Sequence, residues 1–67
     1  MASLDQQIEL ARRHVLEGRR IVMAQRARMA SGQVDGEDAH RLLASFEASL
    51  EIFEQDLARL LRQRDGK

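Results

Sequence analysis

Met29-Ala30-Ser31-Gly32-Gln33-Val34-Asp35-Gly36-Glu37-Asp38-Ala39 lies near the middle of the 67-residue chain and is the one stretch with turn chemistry. Gly32 suits the left-handed position just past a helix end, where a Cβ would clash. Asp35 is placed to cap a helix that opens with Gly36, Glu37 and Asp38, and acids there complement the helix dipole. Val34 before that cap and Ala39 inside the helix have the spacing of a small hydrophobic staple. No proline interrupts the chain on either side. The reading is two helices of similar length, about 4–31 and 36–64, joined by a turn at 32–35 within one domain spanning 1–67.

The first helix has its own start signal in Ser3-Leu4-Asp5-Gln6, a capping box in which two side chains satisfy two orphan backbone N–H groups. Beyond it, Leu4, Ile8, Ala11, Val15, Gly18, Val22, Gln25 and Met29 recur at alternating spacings of four and three. Ala39, Leu43, Phe46, Leu50, Phe53, Leu57 and Leu60 do the same. Both rows are heptad seams, the repeat that two helices winding around each other require. Folding the chain at the turn sets Met29 on Ala39, Gln25 on Leu43, Val22 on Phe46 and Gly18 on Leu50. Val15 then meets Phe53, Ala11 meets Leu57 and Ile8 meets Leu60. Small side chains of the first helix face large ones of the second, and the fold class is an all-α antiparallel two-helix hairpin, coiled-coil-like. Gly18 in mid-helix costs about 1 kcal/mol against alanine; close approach near Leu50 and Phe53 is the compensation expected, and a ligand pocket over the missing side chain is the alternative reading. Gln25 is a register-setting polar residue in the seam. Met23 and Met29 suit an adaptable binding surface, but Met29 is better read as core.

Charge is arranged around this seam. The chain has 11 basic and 11 acidic residues and a net charge of zero. Residues 1–34 hold six arginines against three acids, and residues 35–67 hold five basic against eight acidic groups, so the halves carry +3 and −3. On one flank Arg12, Arg19 and Arg26 face Glu54, Glu47 and His40, which predicts Arg12–Glu54 and Arg19–Glu47 ion pairs across the hairpin. Surface pairs of this kind are worth about 0–1 kcal/mol each, but they select the antiparallel arrangement.

The other flank is apolar or small. It offers Leu10, His14, Ile21 and Ala24 from the first helix and Leu42, Ser45, Ser49, Ile52 and Asp56 from the second, with Arg28 near the turn. A two-helix hairpin leaves this strip uncovered, and an exposed apolar strip on so small a protein marks a contact surface. The expectation is a homodimer, hence a four-helix bundle, with Leu10, His14, Ile21, Ala24, Leu42, Ser49 and Ile52 at the interface. His14 sits across from Ser49 and Asp56. As a residue type that changes charge near neutrality, it reads either as a hydrogen-bonded interface histidine or as a pH-sensitive contact.

Composition excludes other classes. With no Cys there is neither a disulfide framework nor a thiolate metal site. No apolar run approaches the roughly 18 residues of a membrane span, and no basic-then-apolar signal pattern opens the chain. No Ser, His and Asp group converges and no carboxylate pair has a cleft, so the chain reads as non-enzymatic and without cofactor. Glu37-x-x-His40 has a spacing found in di-iron bundles, but it lies off the seam, with no acid in the seam to complete a metal site. Arg12, Arg13, Arg19, Arg20 and Arg26 form an alternative nucleic-acid face. Dimeric two-helix hairpins such as the plasmid copy-number regulator Rop bind paired RNA loops, and this chain is similar to them in architecture without carrying their sequence motifs. Net neutrality, the acids opposite the arginines and the absence of exposed aromatics for base stacking weigh against nucleic acid.

The run His14-Val15-x-Glu17-Gly18-x-x-Ile21-Val22-x-x-Gln25, with Leu42-Leu43-x-x-Phe46-x-x-Ser49-Leu50, resembles a group of short bacterial helical-hairpin proteins without an assigned activity. The resemblance covers roughly residues 10–60 and implies a small cytoplasmic bacterial protein. It brings no catalytic residues, though it makes His14, Glu17 and Gln25 candidates for a shared contact. Three functions follow as expectations. The first is a self-associating protein–protein interaction or regulatory module, the second a Rop-like RNA-binding dimer, and the third a small subunit stabilised by an unidentified protein partner.

Overall fold

The structure, a computed structural model, describes residues 2–66; residues 1 and 67 of the expected domain lie outside the described residues. Helix α1 spans Leu4–Ala30 and helix α2 spans Gly36–Asp65, each end within one residue of the sequence reading. Among the described residues there is no strand. The helices pack along their length as a hairpin measuring 48 × 19 × 14 Å. Ile8 and Leu60 meet at the open end, while Gln25 reaches Ala39 near the turn, so the pairing is antiparallel. Neither helix is long and apolar enough to cross a membrane.

Local chemistry sets the ends. Ser3 Oγ accepts from the Gln6 backbone N–H at 3.1 Å, and Gln6 Oε1 accepts from the Ser3 N–H at 2.9 Å, completing the capping box. At the other end of α1 the Gln33 N–H bonds back to the Arg28 carbonyl at 2.9 Å and the Gly32 N–H to the Met29 carbonyl at 3.2 Å. That pair of bonds is a Schellman motif, and it requires the left-handed Gly32, which has φ +79. The start of α2 departs from expectation. Asp35 occupies the cap position with extended backbone, yet its side chain makes no capping bond. The reason lies in Gly36, which enters with φ +87 rather than the right-handed conformation that side-chain capping of the first turn needs. Val34 is partly buried and Ala39 buried, and both border the groove near the turn.

Every position of the two seams is buried or partly buried. In α1 the row from Ile8 through Ala11, Val15, Gly18, Val22 and Gln25 is buried throughout. In α2 only Ala39 and Leu60 are; Leu43, Phe46, Leu50, Phe53 and Leu57 stay partly exposed. Gln25 is 2% exposed and fully satisfied. Its Nε2 donates to the Ala39 carbonyl at 3.2 Å, and its Oε1 accepts from Arg28 Nη2 at 2.9 Å. Such a bond holds at one axial offset of the helices, which is how a polar seam residue sets register.

The ion-pair ladder exists but is displaced by one heptad from the expected pairs. Arg19 Nη2 meets Glu54 Oε2 at 3.3 Å and Arg26 Nη2 meets Glu47 Oε2 at 2.6 Å. Arg12–Glu54 and Arg19–Glu47 do not form. The cause is the tilt of each Cα–Cβ bond toward its own helix N-terminus. In an antiparallel pair those N-termini lie at opposite ends. Arg19 therefore leans toward the open end and Glu47 toward the turn, and they part. Glu54, one heptad nearer the open end, leans back and meets Arg19. By the same offset Arg12 would need an acid at position 61, where the chain has a leucine, and among the described residues it has no ion-pair partner.

A double-mutant cycle on Arg19 and Glu54 is expected to give a coupling of about 0.2–1 kcal/mol, against none for Arg19 with Glu47. Urea unfolding of the single and double alanine variants measures both. Gly32→Ala, forced into the left-handed region, is expected to lose about 1–2 kcal/mol in the same assay.

Candidate interaction surface

The partly exposed seam of α2 leaves two different flanks. On one, a groove of about 520 Å³ is bordered by Val22, Met23, Leu50 and Glu51, and the Arg19–Glu54 and Arg26–Glu47 pairs stand along it. A second hollow nearer the open end is bordered by Arg12, Val15, Leu16, Arg19 and Leu57. The opposite flank carries three grooves in series. Gln7, Leu10, Ala11, His14, Asp56, Arg59 and Leu60 line the first, at the open end. The middle one, of about 210 Å³, is lined by His14, Glu17, Gly18, Ile21, Phe46, Ser49 and Phe53. Near the turn, Gln25, Arg28, Val34, Asp35, Asp38, Ala39 and Leu42 line the third.

Most of the expected contact residues fall along this second flank. Leu10, His14, Ile21, Leu42 and Ser49 all border its grooves. Ile52 is 63% exposed and Ala24 is exposed, and neither lines a groove. Leu10, Ile21 and Leu42 are about half exposed. His14 is partly buried, its ring centroid 5.3 Å from that of Phe53 in a tilted arrangement. Asp56 borders the open-end groove together with His14, and its carboxylate is bound by Arg59 Nη2 at 2.7 Å, one turn along its own helix.

Two features of the surface were not placed by the sequence reading. Phe46 and Phe53, assigned to the seam, also form the floor of the middle groove. Leu16 and Met23 are 54% and 67% exposed on the charged flank. Their seven-residue spacing, one row outside Arg12 and Arg19, is the signal that marks them as a second, interrupted apolar row.

Gly18 lies at the centre of the middle groove. A Cβ there would meet Leu50 Cδ1 at 3.1 Å and Phe53 Cδ2 at 3.6 Å, in keeping with the expected close approach. The arginines Arg12, Arg13, Arg19, Arg20 and Arg26 are all exposed and run along one side of α1, but Arg19 and Arg26 are neutralised by α2 carboxylates. Glu37 is bound by Arg41 at 3.2 Å, and His40 is exposed. Among the described residues no three His, Cys, Asp or Glu side chains gather in a metal-binding group. Comparison with known proteins finds no matching family model, no matching curated protein and no matching solved structure.

Proposed function

We propose that this chain is a non-enzymatic protein–protein interaction module that self-associates through the flank bearing Leu10, Ile21, Leu42 and Ile52, two hairpins forming a four-helix bundle. The observation that carries this reading is the shortfall of the core. The larger apolar side chains that reach burial are Ile8, Val15, Val22 and Leu60, while the bulk of the α2 seam stays partly exposed. Ordering each residue opposes folding by about 1–2 kcal/mol, and so small a core offsets that poorly. A second hairpin supplies the missing cover.

Size and charge support a second copy as the occupant. A face 48 Å long and 14–19 Å wide offers roughly 700–900 Å², comparable with the ~800 Å² per partner of a stable interface. Its charged groups are mixed in sign, with Arg28 and Arg59 beside Glu17, Asp35, Asp38 and Asp56, so a second copy brings arginines to the acids of the first. The opposite flank is less suited, since docking there would desolvate the Arg19–Glu54 and Arg26–Glu47 pairs. The same pairs reduce the positive potential that an RNA face would need.

Sedimentation or light scattering across about a hundredfold range of concentration is expected to give twice the chain mass of 7.7 kDa. Ile21→Glu or Ile52→Glu should return the mass of one chain, and Leu16→Glu on the charged flank should leave the dimer intact. A wild-type monomer throughout that range would sink self-association.

A further inference from the structure

Gly18 interrupts α1 with a residue that only proline undercuts as a helix former, and the tight contact that an added Cβ would make in its own hairpin is with a flexible side-chain end. The three atoms nearest an added Cβ all belong to side chains, and the closest is the terminal Cδ1 of Leu50. Leu50 is partly exposed and borders the larger groove of the opposite flank beside Val22 and Met23, so it has room to turn aside. Gly18 also lines the middle groove of the second flank. There the groove opens over Phe46 and Phe53, with Ile21 at its lip.

We propose that the Gly18 groove is the socket of the self-association face and receives the Ile21 side chain of a second copy. The inference rests on the four-helix reading above and assigns its central contact. Residue 18 lies midway along Leu4–Ala30. A two-fold axis through the middle of the face therefore brings both grooves to the same height, whichever ends of the hairpins align. Ile21 stands one turn from Gly18 and is 45% exposed, while the two phenylalanines of the floor are partly buried. In a two-fold interface the contact is reciprocal, each Ile21 entering the other copy's groove. One glycine then creates two sockets.

The test is association by sedimentation equilibrium of the wild type, Gly18→Leu, and Gly18→Leu combined with either Ile21→Ala or Leu50→Ala. Gly18→Leu is expected to weaken the dimer at least about tenfold. Ile21→Ala should restore most of that loss, because it vacates the space the new leucine takes. Rescue by Leu50→Ala alone would place the strain inside one hairpin and overturn the socket, as would rescue by neither or undiminished association of Gly18→Leu. A monomeric wild type would defeat the self-association reading itself, before any variant is compared. A small apolar molecule retained by that monomer in native mass spectrometry would assign the groove to a ligand and likewise overturn the proposal.

Discussion

The hairpin depends on a mismatch of side-chain size along a single seam. Helix α1 brings Ala11, Val15, Gly18 and Val22 to the contact, and α2 brings Phe46, Leu50, Phe53 and Leu57. The small row disappears beneath the large one. The large row cannot disappear in turn, because one neighbouring helix covers only a narrow stripe of its surface. Phe46 and Phe53 therefore emerge on one flank, and Leu50 and Leu57 on the other. The grooves of the molecule are consequences of that asymmetry, and so is its incomplete core.

The two flanks answer the exposed apolar surface differently. One is lined by arginine–glutamate pairs running from α1 to α2, whose charges stay in water and are worth little to stability while making the flank costly to bury. The other has no such ladder. Its ion pair of Asp56 with Arg59 stays within one helix, and its centre is an apolar hollow. Water is thus held at one flank and least well accommodated at the other, and that contrast is what the proposed self-association through the second flank rests on. Gln25 acts with this asymmetry, since its bonds to Ala39 and Arg28 hold the register in which the hollow forms.

Much of this was legible in the residues. The alternating four-and-three spacing, the capping box at Ser3 and the left-handed Gly32 are local signals, and each has its counterpart in the structure. Asp35 was legible as the cap position of α2, but the absence of its side-chain bond was not, because the conformation of the following glycine cannot be seen in a sequence. The candidate surface was legible as far as its flank, through Leu10, His14, Ile21, Leu42 and Ser49. Its floor was not. Phe46 and Phe53 sit at core positions of the heptad, and periodicity alone does not tell how far a core residue protrudes past its partner.

What the sequence determined by itself is everything that depends on one helix at a time: where each helix starts and stops, which stripe it buries, and which charges flank that stripe. What only the tertiary structure decided are relations between the helices. Arg19 pairs with Glu54 rather than Glu47, Arg26 takes Glu47, and Phe46 and Phe53 protrude far enough to line a groove beside Gly18. Periodicity records direction around a helix axis. The reach of a side chain along that axis is set by the tilt of its Cα–Cβ bond, and it becomes a contact only when a second helix runs the other way beside it.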